Sequence, residues 1–164
     1  MITHKELKEL LSYDPDTGDF WWKESAPGRT TKKPAGGISK GRHVGQYRQL
    51  MIDGKKYMAS HLAWFYVHGE WPEHEMDHIN HNPLDDRITN LRPCTHSENQ
   101  ANKRIQKNNT SGVKGVTWVK SRNRWQVAVG RKGGFVGQYK TIEEAMEAYE
   151  KASRERFGDF AHTG

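Results

Sequence analysis

Leucine, isoleucine, valine and phenylalanine supply only 27 of the 164 side chains (7, 7, 8 and 5), and that shortage limits what the chain can fold into more than any other feature. So low an aliphatic content borders on the composition of disordered chains, which bury too little apolar surface to offset the entropy of ordering a backbone. Six Trp and six Tyr beside the five Phe tip the balance back, because each ring buries more area than an aliphatic side chain. The expectation is one ordinary domain or two small modules, with aromatic-rich cores.

A single cysteine, Cys94, excludes an internal disulfide framework and a zinc site built on paired thiolates. No stretch approaches the roughly 18 to 20 apolar residues of a membrane span, and MITHKELKEL lacks the apolar core of a secretory signal. The sequence is therefore expected to be soluble and cytoplasmic, with no membrane partner.

The net charge of +6 matters less than its distribution. Ser25 to Ile52 holds no Asp or Glu but six cations, among them Arg42 and Arg48. Asn99 to Ile142 again lacks acids and holds ten cations, including Lys103, Arg104, Lys114, Lys120, Arg122 and Arg124. Segregated positive charge attracts a polyanion, and each phosphate it neutralises releases counterions. An anionic membrane surface would call for a basic amphipathic helix, which is missing. Nucleic acid is the expected partner.

Local signals divide the chain further. Thr3 with Glu6, Thr95 with Glu98 and Thr141 with Glu144 are capping boxes that open helices at residues 4, 96 and 142. Asp14-Pro15-Asp16-Thr17-Gly18 reads as a turn before a short strand at Phe20 to Lys23. Asp53-Gly54 between Tyr47–Ile52 and Lys55–Ala59 predicts a hairpin, and Ser60 is placed to cap a helix ending at Gly69. Met76–Ile79 and Ile88–Leu91 predict two further strands around a loop rich in Asn and Asp. Beyond Lys107-Asn108-Asn109-Thr110-Ser111-Gly112, three short strands precede a helix whose buried stripe is Ala145, Ala148, Tyr149, Ala152 and Phe157. The predicted division is residues 1–105, a linker at 106–112, and 113–164.

His74-Glu75-Met76-Asp77-His78 satisfies a zinc-protease pattern, which works only on a helix that sets both histidines on one face. Pro72, Asn80 and Pro83 crowd that segment, so the match is read as coincidence and no zinc is expected. The same pentad ends in Asp77-His78, with Asn90 and Asn99 downstream. Phosphodiester hydrolysis needs a base for water and a hard divalent cation for the developing charge. Carboxylate and carboxamide oxygens suit such an ion, which makes Asp77 and Asn99 candidate ligands. On a strand Asp77 and His78 face opposite ways, and Asn90 is placed to orient the imidazole.

These residues resemble the HNH endonuclease family, in its phage and intron-encoded homing-type branch. The resemblance covers residues 10 to 105 and is carried by Tyr13-Asp14-Pro15-Asp16-Thr17-Gly18, Asp77-His78-Ile79-Asn80, Asp85-Asp86-Arg87-Ile88-Thr89-Asn90-Leu91-Arg92 and Ser97-Glu98-Asn99-Gln100. It implies a ββα-metal module, His78 as general base, Asp77 and Asn99 as metal ligands, and Asn90 bracing hairpin and histidine. Residues 111 to 161 are similar to the APETALA-type DNA-binding domain, a three-stranded antiparallel sheet packed on one helix. Carried onto matching positions, Lys114, Thr117, Lys120, Arg124 and Gln126 face DNA, and Arg122 at the turn meets phosphate.

The expected whole is an α+β protein of two modules: a magnesium-dependent (or manganese-dependent) endonuclease on double-stranded DNA. One site per chain predicts a nicking monomer, with a dimer needed for a double-strand break, and products bearing 5′-phosphate and 3′-hydroxyl. A phage origin would place it in the bacterial host's cytoplasm. The alternatives are a non-catalytic DNA-binding regulator and, further off, the zinc protease.

Overall fold

The computed structural model describes residues 1–40, 46–103, 105, 108–130 and 134–162. The chain mixes helix and sheet as expected and forms two compact units, Met1–Cys94 and Thr95–Gly164. Among the described residues no helix is long and apolar enough to cross a membrane.

The first unit opens with α1 (His4–Leu10), capped as the sequence predicts: the Glu6 amide donates to Thr3 Oγ1 and the Thr3 amide to Glu6 Oε2. Such a cap contributes about 1 kcal/mol. β1 (Leu11–Tyr13) follows directly and pairs with β2 (Phe20–Trp22). β3 (Gly37–Lys40), β4 (Gln46–Ile52) and β5 (Lys55–Met58) form an antiparallel sheet. Asp53 and Gly54 both take positive φ, as a two-residue turn matched to strand twist requires. Helix α2 (Ala59–His68) ends at a left-handed Gly69. Its N-cap is Met58 without a side-chain bond, so Ser60 lies buried inside the helix instead of capping it.

The fully buried centre of this unit is mostly aliphatic, with Phe20, Trp22 and Phe65 inside it, and the aromatic rings that the composition led one to expect in the core largely pack around it as Tyr13, Tyr57, Trp64, Tyr66 and Trp71. Leu7, Leu11, Phe20, Leu50, Ile52 and Leu62 are almost wholly buried, and Trp71 stacks between Phe65 (4.2 Å) and Tyr57 (5.7 Å). Each large side chain removed from water contributes roughly 1.5 to 3 kcal/mol.

β6 (Glu75–His78) and β7 (Leu91–Cys94) close the unit as an antiparallel hairpin. The second strand starts three residues later than the apolar run suggests, because Ile88–Asn90 forms a single 3-10 turn.

The second unit begins with α3 (His96–Asn102), capped reciprocally by Thr95 and Glu98. β8 (Val116–Val119), β9 (Arg124–Ala128) and β10 (Phe135–Tyr139) form the sheet in the order β10-β9-β8. α4 (Ile142–Phe157) packs on one face of it through Ala145 and Tyr149, against Val116, Val127, Trp125 and Tyr139. The division thus falls ahead of the 106–112 linker read from the sequence. Part of that segment is tied down within the second unit, where Asn109 Nδ2 donates to the Val113 carbonyl and Ser111 Oγ to that of Val116.

Candidate active site

Residues 75–78 are extended, so the two histidines of the zinc-protease pattern do not lie one helical turn apart, and His74 sits exposed ahead of the strand. Strand alternation instead sends Asp77 and His78 to opposite faces, and both are buried, at 6% and 8% exposure. Each finds its own partner. Asp77 Oδ2 accepts from Arg92 Nε at 2.9 Å across the hairpin, where the two residues are directly opposed.

His78 Nε2 lies 3.1 Å from Asp86 Oδ1. Asp86 is 2% exposed, and its other oxygen, Oδ2, is one of three buried side-chain atoms without a partner among the described residues. His61 on α2 is half-buried, and burial holds its pKa below the ordinary imidazole value. The Asp86 and Glu75 charges oppose that lowering and His78 adds to it.

The hydrogen bonds of Asn90 go to the loop and not to the imidazole that the sequence reading had it orient. Its Oδ1 accepts from the Asn80 amide at 3.0 Å, and its Nδ2 donates to Asn80 Oδ1 and to the Asp85 carbonyl. It therefore braces the loop between the strands from inside. Asp85 receives a bidentate bond from Arg87 (2.7 and 2.6 Å) and another from Asn80, which hold its carboxyl well down, at about 2.

The Tyr13–Gly18 turn acts on the same loop. The Tyr13 hydroxyl donates to the Asp86 carbonyl at 2.8 Å, and burial raises its pKa to about 12. Gly18 has φ +78°, and a β-carbon built there would stand 2.5 Å from the Arg87 amide nitrogen. Only glycine lets the turn press this closely on the Asp86–Arg87 peptide. Sequence reasoning saw the turn but not its target, and it missed Asp86, whose one signal was its place in Asp85-Asp86-Arg87.

Asn99 lies half-buried in the first turn of α3, where its amide makes the helix's opening bond to the Thr95 carbonyl at 3.0 Å. Asp77 and Asn99 thus belong to different units. Taken singly, a carboxylate and a carboxamide each offer the oxygen that a hard divalent ion prefers.

Of the expected DNA-facing residues, Arg42 and Arg104 lie outside the described residues. Arg48 is half-buried in an ion pair with Asp19 at 2.5 Å, and Lys103 is exposed just after α3. Thr117, Arg124 and Gln126 share the sheet face turned away from α4, with Thr117 and Gln126 opposed across β8 and β9. Lys120 and Arg122 are exposed at the turn between those strands. Lys114 departs from the expected pattern: its Nζ donates to the carbonyls of Gln100, Ala101 and Lys103 at 3.1, 2.5 and 2.6 Å, closing the C-terminal end of α3. Burial, with repulsion from Lys103, lowers its pKa to about 8. Gln138, opposite Gln126 in the register, joins the outer face although no sequence signal marked it.

Three comparisons bear on this arrangement. The HNH endonuclease family model matches residues 57–101, which span α2, the β6–β7 hairpin and most of α3. Protein 3.8 of Escherichia phage T7 is 35% identical over 103 residues, 60% of this chain and 84% of that protein. An uncharacterised HNH endonuclease of Acanthamoeba polyphaga mimivirus is 32% identical over 112 residues, covering 66% of this chain and 57% of the mimivirus protein. No solved structure matches. HNH nucleases generally use a divalent metal ion and take DNA as substrate. Asp77 and His78 stand side by side on a buried strand inside the matched segment, and the mimivirus relative is named an HNH endonuclease; the chain carries an HNH endonuclease domain over residues 57–101.

Proposed function

We propose that this protein is a homing-type HNH endonuclease that nicks one strand of double-stranded DNA. The observation that carries the reading is the pairing of Asp77 with His78 on one buried strand, each fixed by a separate partner. His78 takes a proton from the water that attacks phosphorus. The new bond joins the water oxygen to phosphorus, and the bond from phosphorus to the 3′-oxygen breaks. That oxygen is protonated from solvent, so the products carry 5′-phosphate and 3′-hydroxyl. A divalent cation, magnesium by preference and manganese as a substitute, neutralises charge on the phosphate and the departing oxygen when bound; Asp77 and Asn99 are the residues that would hold it. Asn90 keeps the loop between the strands closed.

The second unit supplies grip. Its three-stranded sheet backed by one helix supports the APETALA-type reading, with Thr117, Lys120, Arg122, Arg124 and Gln126 toward DNA. Phosphate contacts give affinity, and a few contacts to base edges give a tolerant specificity. One site per chain makes the monomer a nickase, and viral kinship suits work in a host cytoplasm.

Conversion of supercoiled plasmid to open circles tests this reading, followed by labelling of the ends. Nicks that form with magnesium, vanish in EDTA and leave a ligatable 5′-phosphate support it. Salt-sensitive binding with no cleavage under any divalent cation would make the protein a DNA-binding regulator instead.

A further inference from the structure

We propose that Asp86 is the positioning residue for His78: it fixes the ring proton on Nε2 and leaves the Nδ1 lone pair as the base. The inference rests on the reading of His78 as the base and extends it to one nitrogen of one ring.

Three observations converge on it. Asp86 Oδ1 is the imidazole's hydrogen-bond partner, at 3.1 Å, while Asn90, which the sequence offered for that task, is engaged with Asn80 and Asp85. A carboxylate accepts and never donates, so it selects a single tautomer, whereas a carboxamide can turn to offer either end. Asp86 is also a poor structural element: at 2% exposure with Oδ2 unpartnered, its burial costs free energy that an uncharged isostere would not lose.

The backbone around Asp86 is over-determined in a way that serves this role. Its carbonyl is held by the Tyr13 hydroxyl, and Gly18 abuts the peptide that follows. The N-terminal turn therefore acts as a strut under the carboxylate. When Nδ1 takes the proton from water, the resulting imidazolium keeps its Nε2–H on Asp86, so the positive ring remains paired in a buried site.

Two measurements on the full chain test the proposal. In long-range proton–nitrogen spectra above the ring's titration, with His78 assigned by loss of its signals in His78→Gln, wild type should show the Nε2–H tautomer. Asp86→Ala should show an averaged pattern. In steady-state nicking, Asp86→Ala should lower kcat roughly 10- to 100-fold, the usual scale for groups that orient a site, with KM within about twofold since no DNA contact is lost. Asp86→Asn should fall between the two in kcat while melting no lower than wild type.

A proton found on Nδ1 in wild type, or wild-type kcat in Asp86→Ala, overturns the proposal. If Asp86→Ala does not fold, the wild-type spectrum and Asp86→Asn decide; an Asn variant that melts lower yet keeps full kcat makes Asp86 structural only. Wild type that never nicks overturns the nuclease reading and this one with it, whereas equal nicking by wild type and Asp86→Ala removes this one alone.

Discussion

Between Glu75 and Cys94 four polar side chains, Asp77, His78, Asp86 and Asn90, are buried, with Asp77 held by Arg92, His78 by Asp86, and Asn90 by Asn80 and Asp85. On the sheet of the second unit the apolar residues are buried against α4, and Thr117, Arg124 and Gln126 face outward. On the proposed function, the hairpin holds polar groups in one geometry for chemistry. The sheet keeps its core apolar and turns a polar face outward, the face to which the proposed function gives DNA. Chemistry and grip should therefore respond differently to substitution.

The sharpest break is His78→Ala. Loss of a general base removes roughly 10²- to 10⁴-fold in rate, so nicking should fall on that scale while DNA affinity, read by gel shift, stays within twofold. Next comes Gly18→Ala, which places a β-carbon against the Arg87 amide at a positive φ. Strain and overpacking together predict a loss of about 2 to 5 kcal/mol in urea unfolding. An unfolding midpoint equal to wild type would show that the turn does not press on the loop.

On the sheet, replacing Arg122 and Arg124 together by Ala should weaken binding uniformly across sequences and reduce the slope of log affinity against log salt by about 2. The maximal rate at saturation should not change. A smaller effect is pH-dependent. Tyr13 is raised to about 12 in the fold, so its contribution is present in full below the ordinary tyrosine value near 10 and is lost as pH rises through 12. The unfolding midpoint of wild type should drop between pH 10 and 12 more than that of Tyr13→Phe. The smallest effect is expected at His74, exposed ahead of β6: His74→Ala should leave stability within about 0.5 kcal/mol and nicking unchanged, and a dead variant would revive the zinc-protease pattern.

What could be read from the sequence was local. All three capping boxes open helices where Thr3, Thr95 and Thr141 stand, because cap and partner lie three residues apart. The Asp53-Gly54 hairpin and the left-handed Gly69 are likewise fixed by their own backbone geometry. β3 was hidden because Gly36 and Gly37 read as loop, and β1 because Leu11 continues the helical stripe of Leu7 and Leu10. Asp77 and His78 were legible as adjacent residues on a strand. Asp86 was not, since its bond to His78 depends on how a loop closes across eight residues. Lys114 read as one more cation in an acid-free run, and only the fold brings it to the carbonyls ending α3.

The most direct test of the division into chemistry and grip is single-turnover nicking of supercoiled plasmid with magnesium, at protein concentrations that saturate the DNA, comparing wild type, His78→Ala and the Arg122/Arg124 double alanine variant. The account predicts that His78→Ala binds but cuts roughly 10²- to 10⁴-fold more slowly, while the double variant, once saturated, cuts at the wild-type rate. Cleavage by His78→Ala at the wild-type rate, or a double variant that saturates and still fails to cut, would contradict it.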